Sequence, residues 1–393
     1  MPRVRGQNGP GLRVRVLSGV RVGEMRMTGA GCQVLGAGGA RGLPAEGSPN
    51  TQHPAPSTLQ VLDERRRGTR FVELPIASVL NSPTQTGMSF WSVNPYVGCE
   101  FGCSYCYARY AHQYVVERAR DRGALPAAEF ADYRGPHGWE AFERRIFVKS
   151  GAPEVLALTL RPARLGGHAI VVGTATDPYQ PAERRFRITR RLLERLAQFH
   201  GLRVGLITKS PLVARDIDVL RRLGERSEVS VHVSLIAVDA LLVRKLEVRS
   251  PVPAARLKAL EQLVRAGVRA GVMVAPVLPG ITDGTEQLAA LLRAAKDAGA
   301  LWVRADPLRL YANVKRRFLP VVAEEFPALL PKYERAFDVR GIVRPEYAAA
   351  LKRRLARLRR EIGVPSGEER GTGGPGDGGT EGWCDAVQQE LAL

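Results

Sequence analysis

Phe90-Trp-Ser-Val-Asn-Pro-Tyr-Val-Gly-Cys-Glu-Phe-Gly-Cys-Ser-Tyr-Cys106 sets a short apolar run against a loop of glycine, proline and cysteine. The run Phe90 to Val93 reads as a strand, and the loop opens where it stops. Cys99, Cys103 and Cys106 stand as Cys-x3-Cys-x2-Cys, and no other cysteine lies between Gln33 and Trp383. Three thiolates on such a loop suit three corners of a cubic [4Fe-4S] cluster, leaving one iron for a ligand from outside the motif. Two readings compete. Zinc motifs need a second Cys or His pair, for which this stretch offers only His112. Structural thiols are usually buried singly among apolar residues rather than set in glycine-rich turns.

Downstream, short apolar runs alternate with helical patterns. Ala169 to Gly173, Arg203 to Thr208, Val229 to Leu235, Ala270 to Ala275 and Leu301 to Ala305 read as strands. Segments such as Arg190 to Ala197 and Leu257 to Gly267 carry apolar residues at i, i+3, i+4 and i+7. The alternation predicts an α/β fold built of βα units around a parallel sheet. Six consecutive units suit a partial (β/α)6 TIM-type barrel better than a closed eightfold one. A further short strand is read at Ile146 to Val148, ahead of a helix over Pro153 to Leu160.

The chain has 393 residues and a formal charge of +19. Residues 1 to 60 hold seven arginines against Glu24 and Glu46 and show no apolar period, so they cannot offset the entropy of ordering. The expected organisation is a disordered lead over 1–65, a barrel core over 66–322, helices over 323–364 and a disordered Gly-rich tail over 365–393. Cys32 and Cys384 fall in the two tails and are poor candidates for a fourth cluster ligand. In Leu351-Lys-Arg-Arg-Leu-Ala-Arg-Leu-Arg-Arg360, Leu351, Leu355 and Leu358 fall at helical spacing, which predicts a docked amphipathic helix with a basic outer face. No stretch approaches the roughly 18 apolar residues of a membrane span. With no secretory h-region either, the expected location is the cytoplasm, where thiols stay reduced.

In parallel α/β barrels functional groups collect where strands end on the C-terminal face. The second strand runs into Gly173-Thr-Ala-Thr-Asp-Pro-Tyr-Gln-Pro-Ala-Glu183, the third into Lys209, the fourth into Ser234 and the fifth into Ala275 to Gly280. The cysteine loop, with the aromatic Tyr105 before its last cysteine, resembles the signature of the radical S-adenosylmethionine (radical SAM) superfamily. Together with Thr176-Asp-Pro-Tyr-Gln-Pro181 it resembles the branch related to spore photoproduct lyase, a DNA-repair enzyme, over roughly Phe90 to Asp283.

The resemblance implies that Cys99, Cys103 and Cys106 hold the cluster and that SAM occupies the open iron. It places Tyr105 beside the adenine, Thr176 and Asp177 at the SAM methionine, Lys209 at its carboxylate and Ser234 at the ribose or carboxylate. Glu247 and Arg249 stand where relatives commonly have a Glu-Pro pair, with Val248 replacing the proline, and their role is left open. The resemblance also implies reductive cleavage of SAM to a 5′-deoxyadenosyl radical, fed by a flavodoxin- or ferredoxin-like one-electron donor. The substrate is unassigned, with nucleic acid slightly favoured. The lyase's hydrogen-donating cysteine is matched here by Ala175, so thymine-dimer reversal by that route is not expected. The second reading is a non-enzymatic iron-sulfur protein that binds nucleic acid through its basic segments and uses the cluster structurally.

Overall fold

The structure, a computed structural model, describes residues 59–65, 68–125, 133 and 138–366. The described strands are β1 Val61–Glu64, β2 Arg70–Glu73, β3 Leu80–Asn81, β4 Trp91–Val93, β5 Tyr96–Val97 and β6 Arg145–Val148. They continue with β7 Ile170–Val172, β8 Arg203–Thr208, β9 Glu228–Ser234, β10 Ala270–Val277 and β11 Val303–Pro307.

Period-two alternation sorts the central strands. Val204, Leu206, Val229, Val231, Val233, Val272 and Val274 enter the main apolar core, where they meet Leu192, Leu196, Leu223, Leu260, Leu263 and Leu292 of the helices between the strands. The alternate positions Gly205, Ile207, Ser230, His232, Ser234, Gly271 and Met273 turn to the opposite, inner face. At the inner face Gly271 makes room for Trp302, since a Cβ there would lie 2.5 Å from the indole. The indole Nε1 donates to His232 Nδ1 at 3.2 Å.

The large sheet has the order β11-β10-β9-β8-β7-β4-β3, with β4 to β11 parallel and β3 antiparallel at one edge. Six parallel strands in chain order form the expected partial barrel, and among the described residues no pairing closes β11 onto β3. The expected strand near Ile146 is present as β6, but it belongs elsewhere. It pairs with β2 and β5 in a second sheet of order β1-β2-β6-β5, which carries the chain into the cysteine loop.

Three expected boundaries differ. Val61–Glu64 falls inside the 1–65 lead yet pairs with β2, while residues 1–58 lie outside the described residues. The helix Ala312–Glu325 begins ahead of the 322/323 boundary and continues through Pro320, with Val314, Phe318, Val321 and Val322 buried. At the tail, the Pro365 carbonyl accepts from Val303 N at 3.0 Å, and residues 367–393, Cys384 among them, lie outside the described residues. The basic helix is Pro345–Ile362, docked through Leu351, Leu355 and Leu358 with Lys352, Arg353, Arg357 and Arg360 exposed.

Candidate active site: a clamped cysteine loop

The loop from Gly98 to Cys106 is held from three sides. At its start, β5 pairs with β6 and Cys99 N donates to the Phe142 carbonyl at 2.9 Å. The Gly173–Glu183 segment grips the same end: Thr176 Oγ1 and Gln180 Nε2 donate to the Gly98 carbonyl at 2.6 and 3.1 Å. Glu100 N donates to Gln180 Oε1 at 3.0 Å, and Ala182 N donates to Glu100 Oε2 at 2.7 Å. At its far end, Arg109 donates to the Cys103 carbonyl at 3.1 Å and to Glu143 Oε1 at 2.7 Å.

The third side is the segment after the helix Ala240–Leu246. The Ser104 amide and hydroxyl both donate to the Leu246 carbonyl, at 2.9 and 3.1 Å, and Cys103 forms a β-bridge with Glu247. Arg249 N donates to the Phe101 carbonyl at 3.0 Å and Arg249 Nε to that of Glu100 at 2.7 Å. Gly102 stands at φ +68°, a left-handed backbone conformation that favours glycine, with the ends of the Arg249 and Glu143 side chains packed close to it.

Around this loop the expected residues converge. Lys209, immediately after β8, donates from Nζ to Ser234 Oγ at 3.0 Å, and its ammonium lies 5.7 Å from the Tyr105 ring centre. Asp177 ties two strand ends together: its carboxylate accepts from Thr208 Oγ1 at 2.8 Å, Lys209 N at 2.7 Å and Tyr179 N at 2.9 Å. Thr176, between Gly98 and Gln180, has its hydroxyl committed to the loop. His112 is not drawn to the thiols. Its Nε2 donates to the Arg145 carbonyl at 2.8 Å, among Tyr133, Phe142 and Phe147.

At the centre lies Glu247, fully buried. It accepts from the Tyr105 phenol and from Arg256, and Ser250 Oγ donates to it at 2.7 Å. Its carboxylate also lies 3.9 Å from Lys209 Nζ. Burial opposes its ionisation, but Arg256 and Lys209, with the hydrogen bonds from Arg256 and Tyr105, hold the carboxyl down to about 2. Burial likewise works against the Lys209 ammonium and is outweighed by Cys103 and Glu247, which hold its pKa above the ordinary lysine value. Glu247 thus faces two cations, and the Asp177 carboxylate, which opposes ionisation of Cys99, is the second anion beside the sulfurs. Burial pushes Cys103 up to about 12, with Lys209 pulling against it, and raises Cys99 and Cys106 as well.

A profile of the Radical SAM superfamily matches residues 93–292, from the end of β4 into the helix after β10. The chain belongs to the radical SAM superfamily. An uncharacterised Mycobacterium tuberculosis protein is 32% identical over 293 residues, covering 74% of this chain and 80% of the relative. An uncharacterised Methanocaldococcus jannaschii protein is 25% identical over 202 residues, covering 51% of this chain and 66% of that one. Among solved structures, spore photoproduct lyase complexed with dinucleoside spore photoproduct superposes with a TM-score of 0.51 at 15% identity, covering 74% of this chain and 79% of the lyase. At that identity the likeness is one of fold.

As a radical SAM enzyme the protein uses a [4Fe-4S] cluster and SAM, and enzymes of this class need an electron donor. Three thiols on one loop are soft donors of the kind such a cluster takes, though among the described residues no three His, Cys, Asp or Glu side chains are grouped as for a single metal ion. No described helix is long and apolar enough to cross a membrane.

Sequence reading left Glu247 and Arg249 open and missed Arg256 altogether. The signal was present in the helix Pro253–Arg265, where Arg256 shares the buried stripe with Ala259, Leu260 and Leu263. A charged residue on an apolar stripe has a buried partner to find.

Proposed function

We propose that Cys99, Cys103 and Cys106 ligate the [4Fe-4S] cluster and that the rim formed by Tyr105, Thr176, Asp177, Lys209 and Ser234 receives SAM. The observation that carries this reading is the convergence of the cysteine loop with Lys209 on one buried centre, although they come from the ends of different strands. When bound, the cluster and SAM supply a low-potential electron and a 5′-deoxyadenosyl radical for hydrogen abstraction.

The chain's own residues bind, orient and exclude water. Lys209, fixed by Ser234, offers an ammonium to the SAM carboxylate. Asp177 has four lone-pair sites and spends three on Thr208, Lys209 and Tyr179, so one remains for the methionine ammonium. Thr176 acts through the Gly98 carbonyl, keeping the loop at the right depth. Tyr105, only 6% exposed and bound to Glu247, gives the adenine an aromatic wall. A flavodoxin- or ferredoxin-like protein delivers the electron.

For the substrate we favour nucleic acid, on the +19 charge and the exposed bases of Pro345–Ile362. Ala175 bears no thiol, so hydrogen return to a product radical falls to another group or to SAM itself. Anaerobic incubation of reconstituted protein with SAM and dithionite tests the reading. Release of 5′-deoxyadenosine, abolished in Cys103→Ala, is expected; an intact cluster that never cleaves SAM would favour the non-enzymatic reading. Nucleic-acid affinity should fall steeply between 50 and 200 mM salt. A salt-independent affinity would remove that substrate class.

A further inference from the structure

We infer that the buried Glu247–Arg256 pair is a positioning device that docks the cysteine loop onto the end of β9 and turns Cys103, Tyr105 and Lys209 toward one space. The inference rests on the proposed role of the loop and concerns what holds it there.

Both partners of the pair are fully inaccessible to solvent. A buried ion pair loses much of its Coulomb energy to desolvation, so stability alone is a weak reason to keep one. Its connections show what else it does. Arg256 points at the barrel: it donates to the Ser234 carbonyl at the tip of β9 at 2.9 Å, to the Pro251 carbonyl at 2.8 Å and to Ser250 Oγ at 2.6 Å. Glu247 points at the loop, with one oxygen taking the Tyr105 phenol and facing Lys209, the other taking Arg256 and Ser250.

The backbone on either side repeats the connection. Leu246 accepts twice from Ser104, and Arg249 closes on Phe101 and Glu100. The two residues therefore join a strand tip to the loop through directional bonds, with the Lys209 ammonium 3.9 Å from the carboxylate as a charge contact, and apolar side chains of equal volume would preserve packing while losing those bonds.

That contrast supplies the test. Replacing the pair together, Glu247→Leu with Arg256→Met, removes both charges and leaves neither partner uncompensated. The expected result is a folded protein whose apo form shows amide hydrogen exchange roughly tenfold faster over residues 98–106, with the strands β8 to β10 unchanged. After reconstitution, SAM affinity should fall by roughly tenfold, and the reduced cluster should show a weaker change in its electron paramagnetic resonance spectrum on adding SAM.

Loop exchange within about twofold of the wild type in the folded double variant would overturn the inference. Should that variant not fold, Glu247→Gln keeps the side chain's shape. Faster exchange at Ser104 to Cys106 is again expected, and unchanged exchange there overturns the inference. Exchange in the apo protein decides the clamp without metal, whereas a wild-type chain that takes up no cluster would instead sink the proposed role of the loop.

Discussion

At the residue scale, the three cysteines proposed to hold the cluster share a loop that Glu247 ties, through Tyr105 and Arg256, to residues distant in sequence. Cys103→Ala should remove most of the near-ultraviolet and visible iron-sulfur absorbance after reconstitution. A full spectrum in that variant would reject the ligand assignment. The same scale fixes an acid sensitivity. Burial holds His112 down to about 4, against an ordinary 6.5, with Arg109 and Arg145 adding to it. The unfolded chain then takes up a proton below pH 6.5 that the folded one refuses until about pH 4. Stability is thus full above that window and falls as pH drops through it, by about 3 kcal/mol for this one group. Glu247 adds its own loss lower down, as pH falls from 4.5 toward 2. Urea unfolding at pH 7.5 and 4.5 should show the drop, and His112→Gln should lessen it. A pH dependence unchanged in His112→Gln would contradict the burial of a neutral imidazole, whereas the buried carboxyls of Glu100, Asp177 and Glu183, raised by burial, oppose the drop in wild type and variant alike.

At the element scale the parallel strands could be read because each is an apolar run followed by a helical period, and β8 occupies the span expected for it. The second sheet could not be read in that way. Its strands are two to four residues long, and β2 finds its partner β6 far along the chain, so neither length nor neighbourhood announces the pairing. Its consequence is functional, since β5 leads into the cysteine loop. The helix Pro345–Ile362 shows the opposite case, where periodicity alone found the docked face. Gly363 ends it in the left-handed conformation (φ +75°), and Leu351, Leu355 and Leu358 are each 4% exposed. Leu355→Ala should cost about 3 kcal/mol, read as a lower urea midpoint with an unchanged slope. An unchanged midpoint would mean that the helix is not seated on the barrel as described.

At the scale of the whole molecule, an open sheet of six parallel strands gathers the ends of β4, β7, β8 and β9 around one space, and a separate small sheet delivers the cysteine loop to it. The fold supplies convergence, and the Glu247 centre supplies charge balance. The central claim is that three sulfurs hold a cluster with one iron left for SAM. Its most direct test is electron paramagnetic resonance of the anaerobically reconstituted, dithionite-reduced protein before and after adding SAM, with iron and sulfide counted on the same sample. About four irons and four sulfides per chain, with a spectrum that changes when SAM is added, are predicted. A full cluster whose spectrum ignores SAM, or less than a cubane's complement of iron and sulfide, would contradict it.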